Sequence, residues 1–264
     1  MNIPRFLIDC QFIDESQSSI TLKDAKLIKQ IRKVLRLEKG SPLDILDGKG
    51  NIYHCHLQIG QGESALIAKI QSKKKLRVES ETNFTVVLPL IKPARFEWAL
   101  EKLTEIGADI IVPVTLTRTM IKLPPSTIGE DRTKFIRWQK IIQEATEQCE
   151  RSVQPQLLQP LTFEHYLRTL PNNPGSLRII CTERKKVQSL QDLLYNHKQC
   201  PSFCAIALGA EGGFTEEEVK LALSYNFMPV SLGNNILRTE TAAIYTLAIV
   251  KTFLANTKGA PIDR

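Results

Sequence analysis

Two glycine-bearing segments hold the residues of this sequence whose types and spacing could do chemistry. They are Leu208-Gly209-Ala210-Glu211-Gly212-Gly213-Phe214 and Leu232-Gly233-Asn234-Asn235-Ile236-Leu237-Arg238. Glycine lets a backbone approach a ligand closely and adopt positive φ. Neither segment is a phosphate cradle, because neither carries G-x-x-x-x-G-K-[ST] or G-x-G-x-x-G. Glu211, set among the glycines of the first, would repel a phosphate. The same carboxylate suits a cationic or hydroxyl-rich ligand. S-adenosylmethionine, with a sulfonium, an ammonium, ribose hydroxyls and no phosphate, fits that description. A strand-to-helix turn needs glycine for geometry alone, so each segment taken singly says little. The pair, with Glu211 in one and Arg238 ending the other, is more specific.

The elements that must position these loops follow from periodicity. From residue 84 onward short apolar runs alternate with helical patterns. Strands are expected at 84–90, 110–114, Leu177–Cys181, 204–208 and 228–232. Pro93 opens a helix with Phe96, Leu100, Leu103 and Ile106 on its apolar stripe, and Gly107 stops it. A longer helix spans roughly 131–150. Thr215 and Glu218 form a capping box that opens another. Residues 239–255 form a last helix, apolar on almost every face, which must be buried on several sides. This alternation implies an α/β fold with a mostly parallel sheet covered on both faces. If the strands are parallel, both glycine segments lie at the carboxyl edge of the sheet, where open α/β folds bind ligands.

The first 75 residues read differently, as a small β-rich module. Strands are expected at Pro42–Leu46, 52–59 and 65–70, with Asp47-Gly48-Lys49-Gly50 as the turn between the first two. A helix over 24–35 places Ile28, Ile31 and Leu35 on one face. Lys73-Lys74-Lys75-x-Arg77 then reads as a boundary, either a solvated linker or a phosphate-contacting patch.

Charge and cysteine content narrow the partners. The 264 residues carry a net charge of +7, and residues 1–80 hold 14 Lys/Arg against 9 Asp/Glu. That favours a polyanionic partner, mildly. The six cysteines include no C-x-x-C pair, and Cys200 and Cys204 lack a partner pair at zinc-ligand spacing. His54 and His56 share a strand face without a third ligand. No metal is expected. The N-terminus lacks a signal-peptide core and the apolar run 242–250 is too short to span a bilayer, so no membrane association and a cytoplasmic location are the default.

Several stretches together resemble one family. Residues 208–214 and 231–243 (SLGNNILRTETAA) are similar to the two cofactor-binding motifs of the bacterial 16S ribosomal RNA uridine-N3 methyltransferases of the SPOUT superfamily. Glu101-Lys102-Leu103-Thr104-Glu105-Ile106-Gly107, Arg137-Trp138 and Glu144-Ala145-x-Glu147-Gln148-Cys149-x-Arg151 resemble further family blocks. Val34-Leu35-Arg36 and Asp47-Gly48-Lys49-Gly50 resemble its small N-terminal domain. The family usually has proline where Ala210 stands, proline-arginine where Asn234-Asn235 stand, and glycine where Glu150 stands.

The resemblance implies a PUA-like β-barrel RNA-binding domain over 1–75 and a trefoil-knotted SPOUT methyltransferase domain over 76–264. It also implies a homodimer acting on 16S ribosomal RNA or the small ribosomal subunit, at N3 of uridine 1498 in standard numbering. The implied S-adenosylmethionine pocket comprises Thr182, Glu183, Leu208, Gly209, Glu211, Gly212, Gly213, Leu232, Gly233, Ile236, Leu237, Arg238, Thr239 and Ala242. Lys29, Arg32, Lys33 and Arg36 are the expected RNA-phosphate contacts. Uridine N3 must lose its proton before it attacks the methyl group, and a guanidinium favours the resulting anion. Arg238 and Arg151 are the catalytic candidates; for each the bland alternative is an ion pair or a helix-end cation. No residue declares itself a general base. The alternative function is a non-catalytic ribosome-associated RNA-binding factor.

Overall fold

The computed structural model describes residues 3–58, 65–75, 81–119, 130–171, 175–182, 187–197 and 200–256. The chain forms two compact units, Met1–Glu79 with Thr146–Gln154, and Ser80–Ala145 with Pro155–Arg264.

The first unit is a mixed six-stranded sheet. Its strands are β1 (Arg5–Leu7), β2 (Ile13–Asp14), β3 (Ser19–Leu22), β4 (Pro42–Leu46), β5 (Asn51–Gln58) and β6 (Leu66–Lys75), in the order β1-β4-β5-β6-β3-β2. Only the β1–β4 pair is parallel. The β4–β5 turn is built by Asp47, whose carboxylate accepts from the backbone N–H of Lys49 at 2.8 Å and of Asn51 at 3.0 Å. Such an Asx arrangement mimics a backbone turn. Two expectations are corrected here. Strand β6 does not end at residue 70: it continues through Lys73–Lys75, which pair opposite Tyr53, Ile52 and Asn51. Lys73 is held there by Glu15 at 2.6 Å and by the Tyr53 ring, 5.3 Å from its ammonium. Arg77 falls outside the described residues. The expected helix over 24–35 is α1 (Ala25–Lys29) followed by a π-type turn, Gln30–Val34. The wider turn breaks the 100° phase, so Ile28 and Ile31 are buried whereas Leu35 is exposed.

The same unit contains Glu150, whose φ is +59°. A left-handed backbone costs a side-chain-bearing residue roughly 1–2 kcal/mol, a cost that glycine would not carry. In this chain the Glu150 carboxylate pairs with Arg5, which also reaches the buried Asp44.

The second unit is a parallel sheet. Its strands are β7 (Asn83–Pro89), β8 (Ile110–Thr115), β9 (Gln156–Leu157), β10 (Leu161–Thr162), β11 (Leu177–Cys181), β12 (Phe203–Ala207) and β13 (Met228–Val230). The order is β10-β8-β7-β12-β11-β13, with β9 also on β8, and every pairing is parallel. β7 pairs with β12 in the register Val87 to Ala207. The helices are α2 (Pro93–Ile106), α3 (Glu130–Gln148), α4 (Phe163–Thr169), α5 (Leu190–Asn196), α6 (Glu216–Ser224) and α7 (Thr239–Asn256).

Alternate residues of each strand feed two separate cores, as the period of two requires. Val86, Leu88, Ile179, Cys204 and Ile206 meet Phe96, Leu100, Leu103, Trp138, Leu193, Leu247 and Val250. Val87, Ile180, Ala205 and Ala207 meet Phe163, Tyr166, Leu167, Val219 and Phe227 on the other face. Gly107 ends α2 with φ +103°. The Thr215–Glu218 capping box opens α6 with both reciprocal bonds formed. At the amino edge of the sheet, buried Arg178 in β11 donates to the carbonyls of Tyr225 at 2.7 Å and Pro171 at 2.5 Å. It thereby ties together the carbonyl-rich ends of α6 and α4. Among the described residues no helix is long and apolar enough to cross a membrane.

Candidate functional site

The chain leaves β12, forms α6, and returns as β13 on the far side of β11. The loops after β12 and β13 therefore flank the carboxyl end of β11. Between them lies a cavity of about 570 Å³, lined by Cys181 and Thr182 from the end of β11, by both glycine loops, and by Arg118, Val219, Thr239 and Ala242. Thr182 is fixed by its N–H bond to the Val230 carbonyl at 3.0 Å. Thr239, the first residue of α7, donates its hydroxyl to the Gly209 carbonyl at 2.8 Å, joining the last helix to the first loop. Cys181 is buried beside Thr246, and burial pushes its thiol up to about 12. It stays protonated at neutral pH and is no nucleophile.

Gly212 and Gly233 have different reasons to be glycine. A Cβ on Gly212 would lie 3.2 Å from Arg118 Cβ and 3.3 Å from Arg118 Cδ. The space it leaves is filled by a protein side chain, so close approach of a ligand is not what requires this glycine. Gly233 has φ +120° with nothing within 4 Å of its missing Cβ, so backbone conformation alone demands it.

Of the sequence-predicted pocket, Thr182, Leu208, Gly209, Glu211, Gly212, Gly213, Leu232, Gly233, Ile236, Leu237, Thr239 and Ala242 are brought together around the cavity. Arg238 is exposed and does not line it; its carbonyl accepts the Ala242 N–H that starts α7. Glu183 lies outside the described residues. Arg151 belongs to the first unit and is 5% exposed, its N–H bonded to the Thr146 carbonyl. In that unit Lys29, Lys33 and Arg36 are exposed and Arg32 is half-buried. Sequence reasoning missed Arg118, Cys181 and Val219 as lining residues, and it placed Phe214, Ser231, Asn234 and Asn235 inside the two cofactor motifs without naming them among the pocket residues. Arg118 could have been found. It lies three residues beyond β8, and loops past the carboxyl ends of parallel strands are where ligands are met. Among the described residues no cluster of His, Cys, Asp and Glu could hold a metal.

Fold and cavity together define a class, the RNA methyltransferase domain, whose family model matches residues 78–251. Ribosomal RNA small subunit methyltransferase E of Synechocystis is 33% identical over 91% of this chain and 75% of its own length. The protein of that name from Bacillus subtilis is 27% identical over 84% of this chain and 86% of its own. The crystal structure of ribosomal RNA small subunit methyltransferase E from Neisseria gonorrhoeae, bound to S-adenosyl methionine, is 26% identical. It superposes with a TM-score of 0.80 over 95% of this chain and 98% of that one. A methyltransferase of Legionella pneumophila, solved with the same cofactor, gives a TM-score of 0.81 at 26% identity over 96% and 98%. The chain belongs to the ribosomal RNA small subunit methyltransferase E family.

Proposed function

We propose that this chain binds S-adenosylmethionine in the cavity beyond β11, β12 and β13, and methylates 16S ribosomal RNA of the small subunit at N3 of one uridine. The observation that carries the reading is the cavity itself. Its volume of about 570 Å³ lies in the ordinary range of small-molecule sites, roughly 300–1,000 Å³. Its walls combine Glu211 with the main chain of two loops, neither of which has a phosphate cradle. The solved relatives hold S-adenosylmethionine, which supports the same ligand in this chain.

When bound, that cofactor supplies an electrophilic methyl group. The protein's part is to present the uridine, exclude water and favour loss of the N3 proton. Arg238, exposed at the end of the second loop, is the guanidinium proposed to stabilise the N3 anion. Arg151 is a second candidate for that charge. Lys29, Arg32, Lys33 and Arg36 are proposed to hold RNA phosphates, with the N-terminal β-rich unit serving as a PUA-like RNA-binding domain. The same reading carries a trefoil-knotted catalytic domain, a homodimer and a cytoplasmic place of action. Exposed Trp98 on α2 and Tyr245 on α7, two helices that pack together, support a buried protein contact there.

The test is methyl transfer from labelled cofactor to small-subunit particles or their RNA, followed by mass spectrometry of the nucleosides. The expected product is 3-methyluridine. RNA binding without cofactor binding or transfer would leave a non-catalytic ribosome-associated factor instead.

A further inference from the structure

Arg118 is built into the cavity with more local support than its place in a loop suggests. The turn that carries it is closed at both ends: Leu116 N–H donates to the Thr119 hydroxyl at 2.8 Å and Thr119 N–H to the Leu116 carbonyl at 3.1 Å. Thr117 N–H donates to the Glu218 carboxylate at 2.8 Å, fixing the turn to the start of α6. The side chain then lies along the open face of Gly212, and its Nη1 donates to the carbonyls of Gly212 at 2.8 Å and Phe214 at 3.3 Å. Nη1 has two hydrogens, and these two carbonyls take both. The Nε and Nη2 hydrogens have no hydrogen-bond partner among the described residues, although the guanidinium acts electrostatically on the Glu217 carboxylate; the side chain is exposed and lines the cavity.

The charge pattern says what those hydrogens are for. Among the described lining residues Arg118 is the cation and Glu211 the anion. S-adenosylmethionine carries two positive groups, the sulfonium and the ammonium, and one negative group, the α-carboxylate. Glu211 complements the first kind. A guanidinium whose remaining N–H groups form a planar fork complements a carboxylate in two-point fashion. We infer that Arg118 recognises the α-carboxylate of the cofactor's amino-acid tail, a binding role in addition to bracing the Gly212–Phe214 segment. The inference rests on the cofactor proposed above.

Titration calorimetry on the full-length protein tests it with three probes. S-adenosylhomocysteine keeps the carboxylate, decarboxylated S-adenosylmethionine lacks only that group, and 5′-methylthioadenosine lacks the whole tail. The variant is Arg118→Met, because methionine keeps an aliphatic stem against Gly212. Arg118→Met should weaken S-adenosylhomocysteine by about tenfold to a hundredfold, the usual worth of a hydrogen bond to a charged group. Binding of the other two probes should be essentially unchanged, and Arg118→Lys should restore part of the loss. Equal weakening of all three would reduce Arg118 to a brace for the loop and overturn the inference. So would unchanged binding of all three. Wild-type protein that binds none of them would overturn the cofactor reading as well, an outcome distinct from either variant result.

Discussion

At the scale of single residues, the site is decided by contacts that a side chain type alone does not disclose. Gly212→Val would drive a branched side chain into Arg118, whose own Cβ stands 3.2 Å from the point a Cβ on residue 212 would occupy. The loop is exposed, so the protein should remain folded by circular dichroism while cofactor affinity, measured by calorimetry, falls below detection. Arg238→Ala tests the proposed charge on the uridine anion. Turnover should drop about a hundredfold, equivalent to roughly 2–4 kcal/mol, as for loss of an oxyanion donor. Part of the rate should return at alkaline pH, where N3 ionises unaided. A loss that is equal at every pH and accompanied by lost cofactor affinity would show that Arg238 only supports its loop. The thiols divide by burial. Cys181 is pushed up to about 12 and is neutral at pH 7, whereas Cys200 is exposed. Brief treatment of native protein with iodoacetamide should therefore label Cys200 and spare Cys181, read by peptide mass spectrometry.

At the scale of elements, α6 and α7 are the parts that lock the loops. Glu218 closes the α6 capping box and also holds Thr117, so it serves two segments at once. Thr215→Ala should cost about 1 kcal/mol, or about 2–4 °C in melting temperature for a domain of this size. Glu218→Ala should cost more and should also weaken cofactor binding, since it releases the turn that carries Arg118. Both the box and α7 were legible in the sequence: Thr215-x-x-Glu218 is a local pattern, and the run around Leu247 is too apolar for any exposed helix. The parallel strands were legible because each is a short apolar run between helices. The two-residue strands β9 and β10 were not, being too short to show a period. The end of β6 was hidden because Lys73–Lys75 look like a linker until Glu15 and Tyr53, distant in sequence, are found beside Lys73. The π-type turn displaced Leu35 for a comparable reason: periodicity assumes 3.6 residues per turn. The cavity was legible to the extent that glycine loops reported it. Arg118 carries no motif of its own, being one cation between threonines; its place just beyond β8 was the one signal available, and its contact with Gly212 appears only in the fold.

At the scale of the whole molecule, the positive charge belongs largely to the first third of the chain. If Lys29, Lys33 and Arg36 hold phosphates, charge-neutralising substitutions there should weaken RNA binding and flatten its dependence on salt. The slope of log affinity against log salt should fall by about 0.7–0.9 for each phosphate no longer neutralised, with cofactor affinity unchanged. A slope identical to wild type would move RNA recognition elsewhere. The sheet order has a consequence of another kind, for the birth of the protein. Strand β7 is central in the finished sheet, yet its partner on one side is β12, with Val87 opposite Ala207. A ribosome making this chain must add roughly 120 residues, about 6–24 s of synthesis, before that edge can be closed. Throughout that interval the nascent polypeptide carries an apolar strand with unpaired amide and carbonyl groups, the kind of edge on which chains aggregate. Newly made protein should accordingly depend on holding chaperones more than its final stability would suggest, and truncated translation products ending before β12 should be insoluble.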